Sequence, residues 1–545
     1  MLVKIEDLLK ELIAAAVKEL YDLELEEVIV EIPRNSDNGD YSTNTAMLLP
    51  KLLHKAPKEI ADQISQKLAE HDDLLRSVEV AGPGFINFRI QPEFLSKAIK
   101  EAFDKKDNFG NNYSGKRKSI LVEYVSANPT GDLHLGHARN AAWGDCITRL
   151  LKASNWDVLR EYYINNAGNQ MVNLAKSVYA RYAQYFGEDV QIPEDGYFAE
   201  DVKKIGEDIA KEVGDEWLHK EEGREEFFMQ RGYEEEMAKI ERDLKYFRCE
   251  FDSWFSEKSL YESPLIKETL DTMAAEGMTY EKDGALWFKT TKFGDDKDRV
   301  LIKSDGAYTY LTPDIANHMF KFYRGYSQLV NLWGGDHHSY VDRMYAAMEA
   351  LGHKGELEVD LIQMVHLVED GEEVKMSKRS GTAITIRNLC DTVGVDAARY
   401  FFASHAIESQ MDFDLGLAKK HSSENPVYYI QYAHARSCGI LKNAPWIRKQ
   451  KVYKRLQLDS ELNLMKIAYD FPFVVARAAE KRRPNQICHY LMNLASQFHS
   501  YYGQVKINDP DQPELSNERL ALVKTVEITI KNGLRLIGVS APETM

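Results

Sequence analysis

The sequence has few of the features that mark membrane, secreted or zinc-binding proteins. No apolar run approaches the roughly 18 residues that a membrane-spanning helix needs. Its five cysteines are scattered over 545 residues without a Cys-x-x-Cys pair, which argues against disulfides and against a zinc site. The first helix carries acidic residues and is not typical of a signal peptide. We therefore expect a cytoplasmic protein that has no membrane partner and binds no zinc or other metal of its own.

Positive charge is also scarce, because 69 Lys and Arg residues face 86 Asp and Glu residues and the formal net charge is −17. The phosphates of nucleic acids bind basic protein surfaces, so this charge balance alone argues against a nucleic-acid partner. The distribution matters more in a chain of several domains. Acidic residues concentrate in 188–257, whereas basic residues cluster at 115–118, 442–455 and 477–483. A nucleic-acid partner thus stays open.

Hydrophobic periodicity divides the chain into three parts. Residues 1–112 mix amphipathic helices with strands predicted at 27–32 and 85–90, which indicates an α+β domain. Residues 113–421 alternate strands and helices, which predicts an α/β domain with a Rossmann-like doubly wound parallel sheet and a helical insertion at about 188–257. Residues 422–545 predict an all-α helical bundle. The strands expected in the α/β domain are 120–125, 158–164, 286–289, 300–303, 328–333 and 361–368.

A histidine motif, His134-Leu-Gly-His137, lies between the first of these strands and an amphipathic helix. The free N–H groups at the start of a helix favour phosphate, and imidazoles can donate hydrogen bonds to charge that develops on phosphorus. Gly136 would let a nucleotide approach the backbone closely. The alternative is a pair of loop histidines without a role.

A lysine motif, Lys375-Met-Ser-Lys378, lies in a glycine-bounded loop after a late strand. Its cations are suited to clamping a polyphosphate, although a basic surface loop would have the same composition. Both motifs follow strands of one nucleotide-binding fold and would lie at the carboxyl edge of its sheet.

Together the two motifs resemble the paired signatures of class I aminoacyl-tRNA synthetases. Three further segments narrow the resemblance to the bacterial arginyl-tRNA synthetases: residues 123–131 (EYVSANPTG), 310–314 (YLTPD) and 395–399 (VDAAR). Residues 34–44 resemble the N-terminal add-on domain of that family, and 425–441 resemble its anticodon-binding helical domain. Ala398 stands where the family often has leucine.

The resemblance implies that ATP, carrying Mg²⁺, reacts with L-arginine to give arginyl-adenylate and pyrophosphate. The arginyl group then passes to the 2′-hydroxyl of the 3′-terminal adenosine of tRNA. A monomer is expected, which activates arginine only with tRNA bound. The implied catalytic residues are His134, His137, Lys375 and Lys378. The implied ATP site comprises these four with Ala127, Asn128, Pro129, Thr130, Gly131, Leu135, Gly136, Met376 and Ser377. The implied arginine site comprises Glu123, Asn128, Tyr310 and Asp314.

In the C-terminal part, Tyr428, Tyr432, His434 and Arg436 are candidate anticodon contacts, because interleaved aromatic and basic side chains suit the stacking of unpaired bases. Helical aromatics more often belong to a core. His337 and His338 receive no role. Another nucleotidyl transferase that shares the histidine motif, or a non-catalytic tRNA-binding relative, remains an alternative. Within the class, a lysine or cysteine enzyme is the nearest neighbour.

Overall fold

The computed structural model describes residues 2–369, 371–374, 384–444 and 447–545. Its first part is an α+β unit, as predicted, in which helices cover an antiparallel sheet of order β1-β3-β2. The elements are α1 (Ile5–Tyr21), β1 (Tyr41–Thr43), α2 (Thr45–Leu48), α3 (Pro50–Leu53), α4 (Pro57–Leu68), β2 (Leu75–Ala81), β3 (Phe85–Ile90), α5 (Pro92–Leu95) and α6 (Lys97–Lys105). The strand predicted at 27–32 is wrong. Only Glu31 forms a bridge, to Ser42, because Pro33 has no N–H to extend it.

The doubly wound sheet is confirmed, with parallel strands in the order β11-β10-β4-β5-β6. Chain order reverses between β4 and β10, which is where such folds bind ligands at the carboxyl ends of the strands. In chain order, the elements from β4 to the edge strand β6 are β4 (Ser119–Glu123), α7 (Leu135–Ala153), β5 (Asp157–Ile164), α8 (Asn169–Tyr185), α9 (Glu200–Val213), α10 (Glu216–His219), α11 (Arg224–Tyr246) and β6 (Ser253–Ser256).

The remaining elements of this part complete the sheet and add two smaller ones. They are α12 (Lys258–Glu262), α13 (Leu265–Ala275), β7 (Thr279–Lys282), β8 (Ala285–Phe288), β9 (Arg299–Ile302), α14 (Leu311–Tyr323), β10 (Gln328–Gly334), α15 (His338–Ala350), β11 (Leu357–Ile362), β12 (Val365–Glu369), β13 (Glu372–Glu373), α16 (Ile386–Val393), α17 (Val395–Ser404), β14 (Met411–Asp414) and α18 (Leu415–Lys419).

Three predictions about this part need correction. The strands at 286–289 and 300–303 do not join the main sheet, because β7, β8 and β9 pair antiparallel in a sheet of their own. The strand at 361–368 is two strands, and β12 pairs with β13 and β14 instead of the main sheet. The helical insertion ends before β6, which pairs with β5 and has only four residues, too few for a periodic signal.

The C-terminal part is the predicted helical bundle, formed by α19 (Pro426–Lys442), α20 (Asp459–Glu480), α21 (Asn485–Gln504) and α22 (Pro513–Leu536). One apolar core runs through this bundle, the first part and the side of the main sheet that carries α7. Within the described residues, no helix combines the length and apolarity that crossing a membrane requires.

The segment 395–399 forms the junction of these parts. Arg399 is fully buried and pairs with Asp145 of α7. Its Nη1 donates to Phe247 O at 2.9 Å and its Nε donates to Ile537 O at 3.1 Å. Asp396 accepts hydrogen bonds from Ser540 N and from Gln431 Nε2, both at 2.9 Å. This segment therefore stabilises the fold rather than lining a site.

Candidate active site

The chain makes a strained turn where β4 ends. Val125 and Ser126 have φ angles of 68° and 43°, which non-glycine residues, and β-branched valine above all, rarely adopt. Asn140 of α7 holds the turn, because its Oδ1 accepts a hydrogen bond from Val125 N at 2.8 Å while its Nδ2 donates to Leu332 O of β10 at 3.0 Å. One buried side chain thus joins β4, α7 and β10 at the switch point and supports strain of about 1–3 kcal/mol per residue.

The two motif histidines stack at the start of α7, with ring centroids 3.8 Å apart. Nδ1 of His134 accepts a hydrogen bond from Gly136 N at 3.1 Å, and Nδ1 of His137 accepts one from His134 N at 3.3 Å. A neutral imidazole whose Nδ1 accepts carries its proton on Nε2. Burial, with His134 nearby, lowers the pKa of His137 to about 3. His137 therefore meets an anion as a neutral N–H donor.

Lys375, Met376, Ser377 and Lys378 lie outside the described residues. The described residues on either side of the lysine motif form backbone hydrogen bonds with other segments. Val374 N donates to Leu367 O at 2.9 Å, and Ile386 N donates to Leu133 O at 2.8 Å. Thr385 also forms a β-bridge with His134. The chain that follows the lysine motif is thus bonded to the histidine motif.

Acids and tyrosines cluster at the carboxyl ends of β4, β5 and β6. Asp314, in the first turn of α14, accepts a hydrogen bond from the Tyr340 hydroxyl at 2.5 Å. Burial is the main cause that raises the pKa of Asp314, to about 6, and the charge of Glu123 adds to it. Asp314 therefore lies in surroundings that favour a cation as its neighbour.

Glu257 is the acid that the sequence did not single out. It directly follows β6 and is 6% exposed. Burial and the charge of Asp314 raise its pKa to about 7, against the lowering effect of a hydrogen bond from the Tyr261 hydroxyl. Among the described residues, its Oε2 and the hydroxyl of Tyr163 are buried without a hydrogen-bond partner. An unsatisfied buried polar group costs about 1–3 kcal/mol, and more if charged. No local pattern marked Glu257, because the four residues of β6 give no periodic signal and the strand forms by pairing with β5.

Glu123 is already paired within the protein. Its Oε2 binds Lys321 of α14, which is fully buried, and its Oε1 accepts a hydrogen bond from the Ser126 hydroxyl at 3.3 Å. Lys321 also lies 3.7 Å from Glu161, whose other oxygen binds Arg324 at 2.5 Å. Glu123 thus belongs to the acidic cluster, but its charge is largely compensated.

The other predicted residues lie at the same sheet edge with differing exposure. Asn128 is exposed on the turn, and its carbonyl accepts from Thr130 N at 2.8 Å. Tyr310, just before α14, is 85% exposed. His337 and His338 are exposed beyond β10. The side chains of Ala127, Pro129 and Leu135 are buried, whereas Thr130, Gly131 and Gly136 are partly exposed.

A separate aromatic groove of ≈ 410 Å³ lies on the C-terminal bundle. Tyr428 and Tyr432 stack with centroids 6.3 Å apart, and the Arg436 guanidinium lies 4.6 Å from the ring centroids of Tyr432 and Tyr502. His434 is not part of this surface. It is 1% exposed, and its Nδ1 lies 2.8 Å from Pro542 O, so it packs against the end of the chain.

Three family models match successive parts of the chain. The arginyl-tRNA synthetase N-terminal domain matches residues 7–90, the class I (R) tRNA synthetase catalytic domain matches 98–406, and the DALR anticodon-binding domain matches 430–545. The chain belongs to the arginyl-tRNA synthetase family.

Curated members of the arginyl-tRNA synthetase family match almost end to end. The arginine–tRNA ligase of Bacillus velezensis is 48% identical over 99% of both chains, and that of Geobacillus thermodenitrificans is 51% identical over 96% of this chain and 95% of its own. A Campylobacter jejuni structure described as an arginyl-tRNA synthetase is 35% identical, covers 84% of this chain and 100% of its own, and has a TM-score of 0.78. The Thermus thermophilus arginyl-tRNA synthetase, at 22% identity, 99% and 100% coverage and a TM-score of 0.74, shares the fold.

Proposed function

We propose that this arginine–tRNA ligase binds the guanidinium of L-arginine between Asp314 and Glu257 and the phosphates of ATP beside His134 and His137. The observation that carries the proposal is the buried, unpaired Oε2 of Glu257 next to Asp314. A planar guanidinium presents a fork of donors that two carboxylates match, and the ammonium of lysine does not. A site built in this way discriminates strongly against lysine.

In this proposal, each of the remaining residues near the arginine site has a different role. Glu123, already bound to Lys321, shapes the charge of the pocket. Asn128, exposed on the turn after β4, contacts the α-amino group. The exposed Tyr310 ring covers the bound side chain. Tyr163 contributes its unpartnered hydroxyl from β5.

In the first step, a carboxylate oxygen of arginine attacks the α-phosphorus of ATP, and the bond from that phosphorus to the bridging oxygen breaks. Pyrophosphate leaves, and the Mg²⁺ that accompanies ATP would offset part of its charge. Neutral imidazole N–H donors stabilise the charge on the phosphoryl oxygens, and Lys375 and Lys378 neutralise the leaving group. In the second step, the tRNA 2′-hydroxyl attacks the adenylate carbonyl and AMP leaves.

The tRNA meets the chain at both ends in this proposal. The groove of Tyr428, Tyr432 and Arg436 stacks unpaired anticodon bases, because aromatic faces and guanidinium planes accept any base. We assign residues 1–112 to tRNA contact, 113–421 to catalysis and 422–545 to anticodon binding, in a protein acting as a cytoplasmic monomer.

The test is arginine-dependent exchange between ATP and pyrophosphate, with and without arginine tRNA, across all twenty amino acids. Glu257→Gln and Asp314→Asn keep shape and remove charge. Each should cost about 2–4 kcal/mol, or roughly 30- to 700-fold in kcat/KM for arginine. Glu262→Gln, an exposed acid on the next helix, is the matched control and should change nothing.

Exchange by the parent protein with arginine, only when tRNA is present, supports the proposal. Exchange with another amino acid, or with none, contradicts the function. Normal arginine kinetics in both charge-removing variants would contradict the pocket alone.

A further inference from the structure

Lys239 of the acidic insertion contacts the loop that precedes the histidine motif. Lys239, on α11, lies with its Nζ 3.1 Å from Oδ1 of Asp132. Asp132 stands two residues before His134, in the loop that leads into α7. The insertion, whose acidic composition had no evident purpose in the sequence, thus reaches the loop that carries the candidate ATP site.

Lys239 is itself held on the insertion side. It pairs with Asp201 of α9, and its Nζ lies 2.8 Å from Oε2 of Glu236, one turn earlier on α11. The exposed fractions of these side chains are 15% for Lys239, 12% for Asp201 and 0% for Glu236. An ammonium has three N–H donors, and three carboxylates surround this one. Asp201 and Glu236 therefore hold the lysine on the insertion side, and its third ion pair is with Asp132.

Asp132 differs from the other two carboxylates that contact Lys239. It is 43% exposed and is the one carboxylate of the three that lies outside the insertion. Its neighbour Leu133 accepts the hydrogen bond from Ile386 N at 2.8 Å. The loop before His134 is therefore held on one side by the insertion and on the other by the chain that follows the lysine motif.

We propose that Lys239 is a positioning residue for ATP, which fixes the His134 loop through Asp132 and leaves arginine recognition untouched. The proposal rests on the assignment of ATP to His134 and His137. Phosphoryl transfer depends on the placement of donors around phosphorus, and small misplacements are costly. An exposed ion pair on a free loop would contribute little, whereas this lysine is mostly buried and anchored by two further acids.

The test uses the full-length protein in tRNA-supported pyrophosphate exchange, with KM and kcat measured separately for ATP and for arginine. Asp132→Asn removes the loop charge at an exposed position, so the fold should keep its melting temperature. Lys239→Met removes the anchor, and Lys239→Arg keeps the charge. Lys211→Met, an exposed lysine of α9 that pairs with Asp208, is the matched control.

We expect Asp132→Asn and Lys239→Met each to lower kcat/KM for ATP by about tenfold, an effect of the size that loop misplacement produces. The KM for arginine should stay unchanged, the double variant should be no worse than the poorer single variant, and Lys239→Arg should restore most of the loss. Lys211→Met should match the parent.

Unchanged ATP kinetics in Asp132→Asn would overturn the proposal, even if Lys239→Met lowers the melting temperature, because the lysine would then be only structural. Additive losses in the double variant would overturn it too, since the two residues would act independently. Absence of arginine-dependent exchange in the parent is instead a failure of the proposed function, so the two failures are distinguishable.

Discussion

Two carboxyl groups of the candidate arginine pocket titrate near neutral pH, and the cause is local. Burial raises the pKa of both acids. The charge of Asp314 adds to the rise for Glu257, to about 7, and the charge of Glu123 adds to the rise for Asp314, to about 6. His137, whose pKa is lowered to about 3, stays neutral over the same range. The acids, not this histidine, therefore set the pH response that we expect.

The sign of that response follows from the charge of the ligand. A guanidinium stays protonated at these pH values and binds the ionised acids. Arginine binding should be strongest above about pH 8, one unit above the pKa of Glu257, and should weaken as pH falls through the pKa of Glu257 and then through that of Asp314. The KM for arginine, measured between pH 8 and pH 5.5, should rise by at most about tenfold per pH unit for each group.

Glu257→Gln is the control for this pH dependence, because its profile should keep only the step that belongs to Asp314. A KM for arginine that stays flat down to pH 5.5 in the parent protein would show that neither acid meets the guanidinium.

At the scale of elements, the junction around α17 depends on one close approach. Gly538 has φ +69°, and a Cβ added there would lie 2.2 Å from Nη2 of Arg399. Arg399 is the buried partner of Asp145 and bonds the carbonyls of Phe247 and Ile537. A methyl group at 538 would therefore displace a guanidinium that joins the catalytic part to the C-terminal end.

Gly538→Ala should destabilise the protein by about 2–5 kcal/mol, since it adds a strained backbone conformation to the disruption of a buried ion pair. Thermal unfolding measures the change. Gly503→Ala is the matched control, because that glycine lies in α21 with no atom within 4 Å of the added Cβ. Equal melting temperatures for both variants and the parent would refute this account of the junction.

At the scale of the whole molecule, a net charge of −17 must be reconciled with a polyanionic partner. The C-terminal groove offers stacking surfaces rather than a basic field. Tyr432 is 40% exposed, and Arg436 lies over its ring. In the proposed function, binding at this groove relies on base–aromatic contacts, which do not require a basic surface.

Tyr432→Ala should lower kcat/KM for tRNA in arginine transfer by roughly 5- to 150-fold, because stacking of one base is worth about 1–3 kcal/mol. The KM for arginine should not change. Tyr113→Ala, which removes a 61% exposed tyrosine far along the chain from the groove, is the control. An equal effect of the two substitutions would argue against anticodon stacking at Tyr432.

Local sequence patterns were sufficient to predict much of the fold and part of the candidate site. The change from a buried strand through Asn128–Gly131 to a helix predicted the surroundings of His134 and His137, because a strand, a turn and a helix are each encoded by neighbouring residues. The C-terminal bundle followed from helical periodicity in the same way. The family segments then indicated arginine as the substrate.

Contacts between residues that are far apart in the chain determined the features that the sequence did not predict. Glu123 is compensated by Lys321, 198 residues away, and β6 becomes a strand only by pairing with β5, which brings Glu257 to the pocket. His434 is hidden by the last residues of the chain. A sequence pattern tells which face of an element is apolar, but it does not tell which distant residue lies against that face. For that reason the partners of buried charges emerged only from the fold.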